Sequence, residues 1–421
     1  MIEVYKFGGA SVKDANGVKN LSTIVNQTKN KQLLIVISAM GRTTDALEKL
    51  TKAYFEGLDT VSEIFGSIRA SHEAIADELF QDKDHPVFND IANTFVEIEW
   101  ILEDEPFDFD YIYDQIVSVG ELLSTKIVSH YLNYAGIDNQ WVDARNYIQT
   151  DNTYREGKVD WTKTSHLIES QLTALLQKKP VITQGFIGST SENFTTTLGR
   201  EGSDYSAAIF ASCLKAGAVT IWKDVPGVLN ADPKWFDQTE LIPQLNYHDA
   251  IELAYYGATV IHPKTIKPLQ NNSIPLHVRS FLNPQAEGTT ISNTGKPLPI
   301  PSFIFKVDQV LISILPKDFS FIIEENLSHI FDILHKYKIK VNTMLNSALS
   351  FSISVDNDEE KITKLITALS VTYKVKYNKD MELVTIRYYN QQTIDRVTEN
   401  KKVLLEVKSR HTCQMVMKDN N

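Results

Sequence analysis

From Ile2 to Ile291, short apolar runs alternate with longer stretches whose apolar residues recur at helical spacing. The runs Ile2–Phe7, Leu33–Ser38, Gln140–Asp143, Val181–Gly188, Val219–Trp222 and Leu276–Val278 read as buried strands. Strands separated by helices predict a mostly parallel sheet with helices on both faces, an α/β/α sandwich whose ligands collect at the carboxyl ends of the strands. The stretch from Gly57 to His130 is almost wholly helix-like and reads as an inserted helical layer, broken by a loop near Glu103–Asp110.

The periodicity stops between Ser292 and Ser302, where Gly295, Pro297, Pro299 and Pro301 mark a linker. A boundary there divides the chain into residues 1–295 and 303–421. Beyond it, strand Val310–Leu315 precedes a helix face of Leu327, Ile330, Phe331, Leu334 and Tyr337. Strands Lys340–Leu345 and Leu349–Val355 follow, then a helix carrying Ile362, Leu365, Ile366 and Leu369, and strand Val371–Tyr377, giving the order βαββαβ. A second, partial copy runs through strand Leu383–Tyr388, helix Gln391–Glu399 and strands Val403–Val407 and Thr412–Met417. Phe303–Lys306 is placed to lend it an edge strand, which makes the two α+β modules interleaved.

Composition narrows the function. A chain of 421 residues, 43% hydrophobic and 23% charged, has room for two or three cored domains. Its net charge of −11 repels phosphate backbones and anionic headgroups, which excludes nucleic acid and membrane surfaces as expected partners. Cys213 and Cys413 lack metal-ligand spacing, so neither a zinc site nor a disulfide framework is expected, and the expected compartment is a reducing cytoplasm. The chain opens on a strand-like run rather than an export signal, and no stretch approaches the roughly 20 apolar residues of a membrane span.

Five motifs carry candidate chemistry. In KFGGAS, Lys6–Ser11, a strand runs into Gly8 and Gly9, whose backbone N–H groups can approach a phosphate while Lys6 neutralises it; alone, the pair reads equally as a tight turn. VISAMGRTTD, Val36–Asp45, offers Ser38 and Thr44 to a substrate, or Thr44 or Asp45 as a cap for a helix beginning near Ala46. TTTLGREGSDYSAA, Thr195–Ala208, sets Arg200 between Gly199 and Gly202 ahead of a helix starting near Ser203. A guanidinium there suits a carboxylate, and Asp204 can organise a catalytic group; an exposed arginine beside a capping box is the alternative. IWKDVPGVLNADPK, Ile221–Lys234, reads as a loop that clasps a nucleotide, with Asp224 towards ribose or base and Lys234 towards phosphates, or as a plain Asp-Pro turn. HPKT, His262–Thr265, adds Lys264 as a phosphate candidate, with His262 read as structural.

Together with SVGELLST, Ser118–Thr125, these motifs resemble those of aspartate kinases, in the same order and at similar spacing over Ile2 to Ile291. The tail resembles the paired ACT regulatory domains of that family. The resemblance implies an amino-acid-kinase-like fold, ATP with Mg²⁺ as cofactors, and transfer of the γ-phosphoryl group to the β-carboxylate of L-aspartate, the entry to lysine, threonine, methionine and isoleucine synthesis. It implies Lys6 at the transferring phosphate with Gly8, Gly9 and Ser11 along its path, and Asp204 organising the centre. Arg200 pairs with the α-carboxylate, Glu121 with the α-ammonium, and Ser38 and Thr44 border the substrate. Trp222, Lys223, Asp224, Val228, Asp232 and Lys234 lie under the nucleotide, with Lys264 near its phosphates. A homodimer through the ACT-like region and an amino-acid effector are also implied, as is a monofunctional enzyme without a fused homoserine dehydrogenase.

The sequence departs from that family at Ala10, usually threonine, and at Glu201, usually glycine. Lys340 and Asn342 replace part of the serine-valine-aspartate met in lysine-sensitive members, which counts against lysine as effector. Two rival readings follow: a kinase of another small acid such as acetylglutamate, against which Glu121 speaks, and a non-catalytic amino-acid sensor on the same scaffold.

Overall fold

The computed structural model describes residues 1–28, 32–236, 238–258, 261–293, 300–318 and 320–420. The expected linker residues Gly295, Pro297 and Pro299, and the boundary drawn through them, lie outside the described residues. The chain forms two compact units: 1–228, 241–251 and 260–297 in the first, and 229–240, 252–259 and 298–421 in the second.

The first unit is built on β1 (Ile2–Phe7), α1 (Ala15–Asn26), β2 (Gln32–Ile37), α2 (Thr43–Phe55), α3 (Val61–Leu79), α4 (Pro86–Glu103), α5 (Phe109–Val117), α6 (Val119–Tyr134), β3 (Gln140–Trp141), α7 (Trp161–Leu167), α8 (Thr173–Leu176), β4 (Val181–Gln184), β5 (Ile187–Ser189), β6 (Thr195–Thr197), α9 (Gly202–Cys213), β7 (Ala218–Lys223), β8 (Gln244–Leu245), α10 (Tyr247–Tyr256, which runs past Ile251), α11 (Pro263–Asn271), β9 (Leu276–Ser280) and β10 (Thr289–Ile291). The sheet order is β3-β4-β2-β1-β7-β9-β10-β8. Every pair is parallel except β10 with β9. The central strands are buried on both faces, which is why they read as continuous apolar runs.

The inserted layer comprises α3 to α6, with the loop at Asp104–Asp108 as expected and a second break between α3 and α4. It joins the sheet through a core that includes Leu47, Ile68, Phe95, Ile116 and Leu123. The expected strand Val181–Gly188 is instead two, β4 and β5. The chain turns at Gly185, where a Cβ would stand 2.5 Å from Ser203 Cβ, and at Phe186, whose φ is 69°. Short β6, β8 and β10 carry too few residues to show a period and escaped the sequence reading.

The second unit holds one six-stranded antiparallel sheet, in the order β12-β13-β11-β14-β16-β15. Its elements are β11 (Ser302–Pro316), α12 (Glu324–Lys336), β12 (Val341–Ser347), β13 (Ser350–Asp356), α13 (Glu359–Thr372), β14 (Tyr373–Arg387), α14 (Gln391–Thr398), β15 (Lys401–Lys408) and β16 (Thr412–Asp419). Val371–Tyr377 and Leu383–Tyr388, read as separate strands, belong to the single long β14. Asn378–Asp380 looks like a turn, but Asn378 pairs with Leu311 and Met381 with Gln309 across a register shift, so a bulge replaces the turn. Ser302–Lys306 pairs with Arg387–Leu383, so β11 and β14 each contribute one half to either βα module. Val310, Ile312, Ile330, Ile353 and Leu365 core the first module, whereas Phe303, Val384, Ile394 and Met415 core the second.

Candidate active site

Loops following β1, β2 and β7 meet the N-terminal turn of α9 in the first unit. Lys6, one residue before the end of β1, is held in register between Val36 of β2 and Ile221 of β7. Its ammonium is buried and lies 2.6 Å from Asp204 Oδ1, and Lys223 Nζ lies 3.3 Å from Asp204 Oδ2. The two lysines hold the Asp204 carboxyl below its usual range despite its burial. Two cations on one buried carboxylate, beside a helix N-terminus, form a surface suited to a phosphoryl group.

The first two loops are knitted by backbone. A Cβ on Gly9 would lie 2.7 Å from Ala39 O and 2.9 Å from Gly41 O, and Gly41 N–H donates to Gly9 O at 3.0 Å. Close approach, not a positive φ, therefore requires this glycine; at Gly8 a Cβ would make only ordinary contact with Lys6 Nζ, at 3.5 Å. Ser38, half-buried, donates its N–H to Phe7 O and accepts from Ser124 Oγ at 2.7 Å. Thr44 is half-buried, and α2 starts at Thr43, earlier than expected. Neither Thr44 nor Asp45 caps it: the cap is Arg42, without a side-chain hydrogen bond.

Glu121 enters this loop cluster from α6. It is 2% exposed; Oε1 accepts from Ala39 N–H at 3.2 Å, and Oε2 has no hydrogen-bond partner among the described residues. Burial pushes its carboxyl up to about 8, against the opposing pull of the Ala39 N–H and Lys6.

These features have known counterparts. The profile of the amino acid kinase family matches residues 1–280. The chain is 30% identical over 397 residues to lysine-sensitive aspartokinase 3 of Escherichia coli, covering 91% of this chain and 86% of that protein. The chain belongs to the amino acid kinase family, in its aspartokinase branch. The crystal structure of E. coli aspartokinase III with aspartate and ADP, described as its R-state, superposes with a TM-score of 0.82 at 28% identity, covering 99% of this chain and 96% of that one. The T-state complex of the same protein with lysine and aspartate gives 0.80 at 29% identity, covering 99% and 95%. A bifunctional aspartokinase/homoserine dehydrogenase of Arabidopsis thaliana is 32% identical over 69% of this chain, which spans 32% of that protein's length.

The structure places the other sequence-predicted residues of this aspartokinase as follows. Ser11, expected along the phosphate path, is buried, and its hydroxyl donates to Trp222 O at 3.4 Å. The Trp222 ring, expected under the nucleotide, is stacked on Phe7 inside the core, 6.0 Å between centroids, leaving only its backbone for a ligand. Asp224 is exposed and Val228 buried at the end of the β7 loop, and exposed Lys264 donates its N–H to His262, the cap of α11. Asp232 and Lys234 belong to the second unit, where Lys234 N–H closes an Asp-Pro turn on Asp232 Oδ1. Arg200 is exposed in the turn before α9.

Sequence reasoning missed Asp114. Wholly buried on α5, it accepts from Thr197 N–H at 2.9 Å, Thr197 Oγ1 at 2.7 Å and Arg155 N–H at 2.8 Å. Burial raises its carboxyl to about 6 in spite of these donors. It ties the inserted helical layer to β6, the strand that delivers Gly199 and Arg200. An aspartate inside an amphipathic helix looks solvent-facing, and only its position opposite β6 reveals the role.

Proposed function

We infer that this site transfers the terminal phosphoryl group of ATP to the side-chain carboxylate of L-aspartate. The observation that carries the reading is Glu121 Oε2, a buried carboxylate oxygen without a hydrogen-bond partner among the described residues, in the loop cluster that Lys6 enters. An α-ammonium satisfies it and Arg200 takes the α-carboxylate, leaving the β-carboxylate for reaction. A dicarboxylate lacking the ammonium leaves Glu121 buried and unpaired, an unfavourable difference on the order of a few kcal/mol.

The attacking carboxylate is ionised at neutral pH, so no general base is needed. A carboxylate oxygen forms the new bond to phosphorus, the bond to the bridging oxygen breaks, and ADP leaves with that electron pair. Alignment and charge neutralisation by Lys6 and Lys223 supply the catalysis. Magnesium arriving with ATP would shield the phosphates, and Asp204 and Glu201 are the carboxylates at the start of α9 that would lie towards it. The acetylglutamate and sensor readings are not favoured, since the relatives are aspartokinases.

Residues 1–295 are read as the catalytic domain and 303–421 as paired ACT-like regulatory modules in a cytoplasmic enzyme at the entry to lysine, threonine and methionine synthesis. Among the described residues no helix is long and apolar enough to cross a membrane. An amino-acid effector fits the regulatory reading. Lysine is disfavoured because Asn342 has no charge to offer it, and its amide is already bound to Lys306 Nζ at 2.7 Å and to Gln309 and Asp356 at 2.8 Å. Dimerisation is read at edge strand β12, where Met344 and Leu345 are exposed, as is nearby Leu349.

The deciding experiment is ADP release with Mg-ATP, offering L-aspartate, L-glutamate or N-acetylglutamate and trapping acyl phosphate with hydroxylamine. Aspartate-dependent hydroxamate is expected. Turnover with either other acid alone, or none with aspartate, overturns the reading.

A further inference from the structure

Glu201 stands at the N-terminal cap of α9 in the left-handed region, φ 52° and ψ 31°, and its side chain caps no helical N–H. Glycine adopts this conformation freely, whereas a glutamate is strained there. The carboxylate is not simply turned out to water. Oε2 is buried and has no hydrogen-bond partner among the described residues. Lys223, Asp204, Lys6 and Arg200 all lie near enough for their charges to act on it, and the first three form the buried cluster around Asp204.

This placement is unfavourable for a bare polyphosphate. A half-buried carboxylate with one oxygen turned inward repels an incoming phosphate more than it would in bulk water. It suits a phosphate that arrives with a divalent cation, because magnesium binds through one or two carboxylates together with substrate phosphates and retained waters. Asp204 is already held by two ammonium groups, whereas Glu201 Oε2, on the first turn beside it, has no hydrogen-bond partner among the described residues. We propose that Glu201 is a protein ligand, direct or through one water, for the divalent cation that accompanies the nucleotide phosphates. Nucleotide affinity is thereby coupled to the metal through this side chain. The proposal rests on the phosphotransfer reading of the site.

The test is calorimetric titration of the full chain with a non-hydrolysable ATP analogue, in EDTA and in Mg²⁺, for the natural protein, Glu201→Gln and Glu201→Gly. Glycine relieves the left-handed strain, so the second variant folds at least as well as the parent. In both variants, metal-free binding is expected to strengthen severalfold, while the gain on adding Mg²⁺ falls by about tenfold or more. A gain within about twofold of the parent in both variants overturns the proposal, as does equal weakening with and without metal, the mark of a merely structural residue. Failure of the natural protein to bind the analogue in either buffer overturns the phosphotransfer reading itself, a result distinct from intact binding without metal coupling.

Discussion

The Lys6 ammonium and the Asp204 carboxylate meet at 2.6 Å with both side chains almost wholly buried, joining the end of β1 to the first turn of α9. A buried pair of this kind stabilises only while both partners remain, because removal of one leaves an uncompensated charge. Lys6→Ala is therefore expected to lower kcat by about a hundredfold or more and to destabilise the fold by about 1 to 3 kcal/mol, less than a fully broken pair because Lys223 stays on Asp204. The Asp204 carboxyl is held below its usual range, so its stabilisation is present above the unfolded-state value and fades as pH falls through the folded one. Rapid-quench turnover and urea melts from neutral to acid pH check both; unchanged kcat removes Lys6 from the reaction.

Glu121 titrates in the opposite sense. With its carboxyl at about 8 it is largely protonated at pH 7 in the free protein. Pairing with an ammonium requires the carboxylate, so aspartate binding should release about one proton at pH 7 and close to none at pH 9. Calorimetry in buffers of different ionisation enthalpy measures this, and Glu121→Gln should abolish it. Because its folded value is raised, Glu121 costs stability increasingly as pH rises from its unfolded value to about 8. Glu121→Gln should thus gain on the parent at pH 9 relative to pH 5. Proton release that survives in the variant assigns it to another group.

Arg200→Ala should raise the aspartate requirement by about 10- to 100-fold, the range for a lost charge-assisted pair, with a far smaller change for ATP. Initial-rate kinetics with each substrate varied in turn separate the two. An unchanged aspartate requirement moves the α-carboxylate to another residue.

Asp114→Asn withdraws a charged acceptor from three donors on Thr197 and Arg155. A loss of about 2 to 3 kcal/mol is expected in urea melts. Because β6 leads into the turn carrying Arg200, the aspartate requirement should rise while ATP saturation is spared. Lost stability with aspartate kinetics intact makes Asp114 a brace alone.

Met344→Lys together with Leu345→Glu places a charge on each face of edge strand β12 and should convert the proposed dimer to monomers in sedimentation. A dimer that persists at the same concentration places the interface elsewhere.

Much of the fold was legible because the strands of a parallel sheet are buried on both faces and announce themselves as apolar runs. Ile2–Phe7 appears as β1 with the expected bounds, and Gln140, Val181 and Leu276 each open the strand expected of them. The motifs drew attention to Lys6 and Asp204 through their place at a strand end and a helix start, and the resemblance added Glu121; the structure brings Lys6 and Asp204 together. For Ser11 and Trp222 residue type did not say which way the side chain turns: the Ser11 hydroxyl meets the Trp222 carbonyl and the Trp222 ring lies in the core.

The sequence by itself determined the layered α/β architecture, the α+β tail and the candidate charged residues, because these follow from periodicity and from chemistry carried by single residues. Only the tertiary structure decided that Asp204 is shared by Lys6 and Lys223, that Glu121 and Glu201 each keep a buried oxygen without a hydrogen-bond partner, and that Asp114 braces β6. Those properties belong to pairs of residues far apart in the chain, and burial, which sets their electrostatics, exists only once the chain has closed around them.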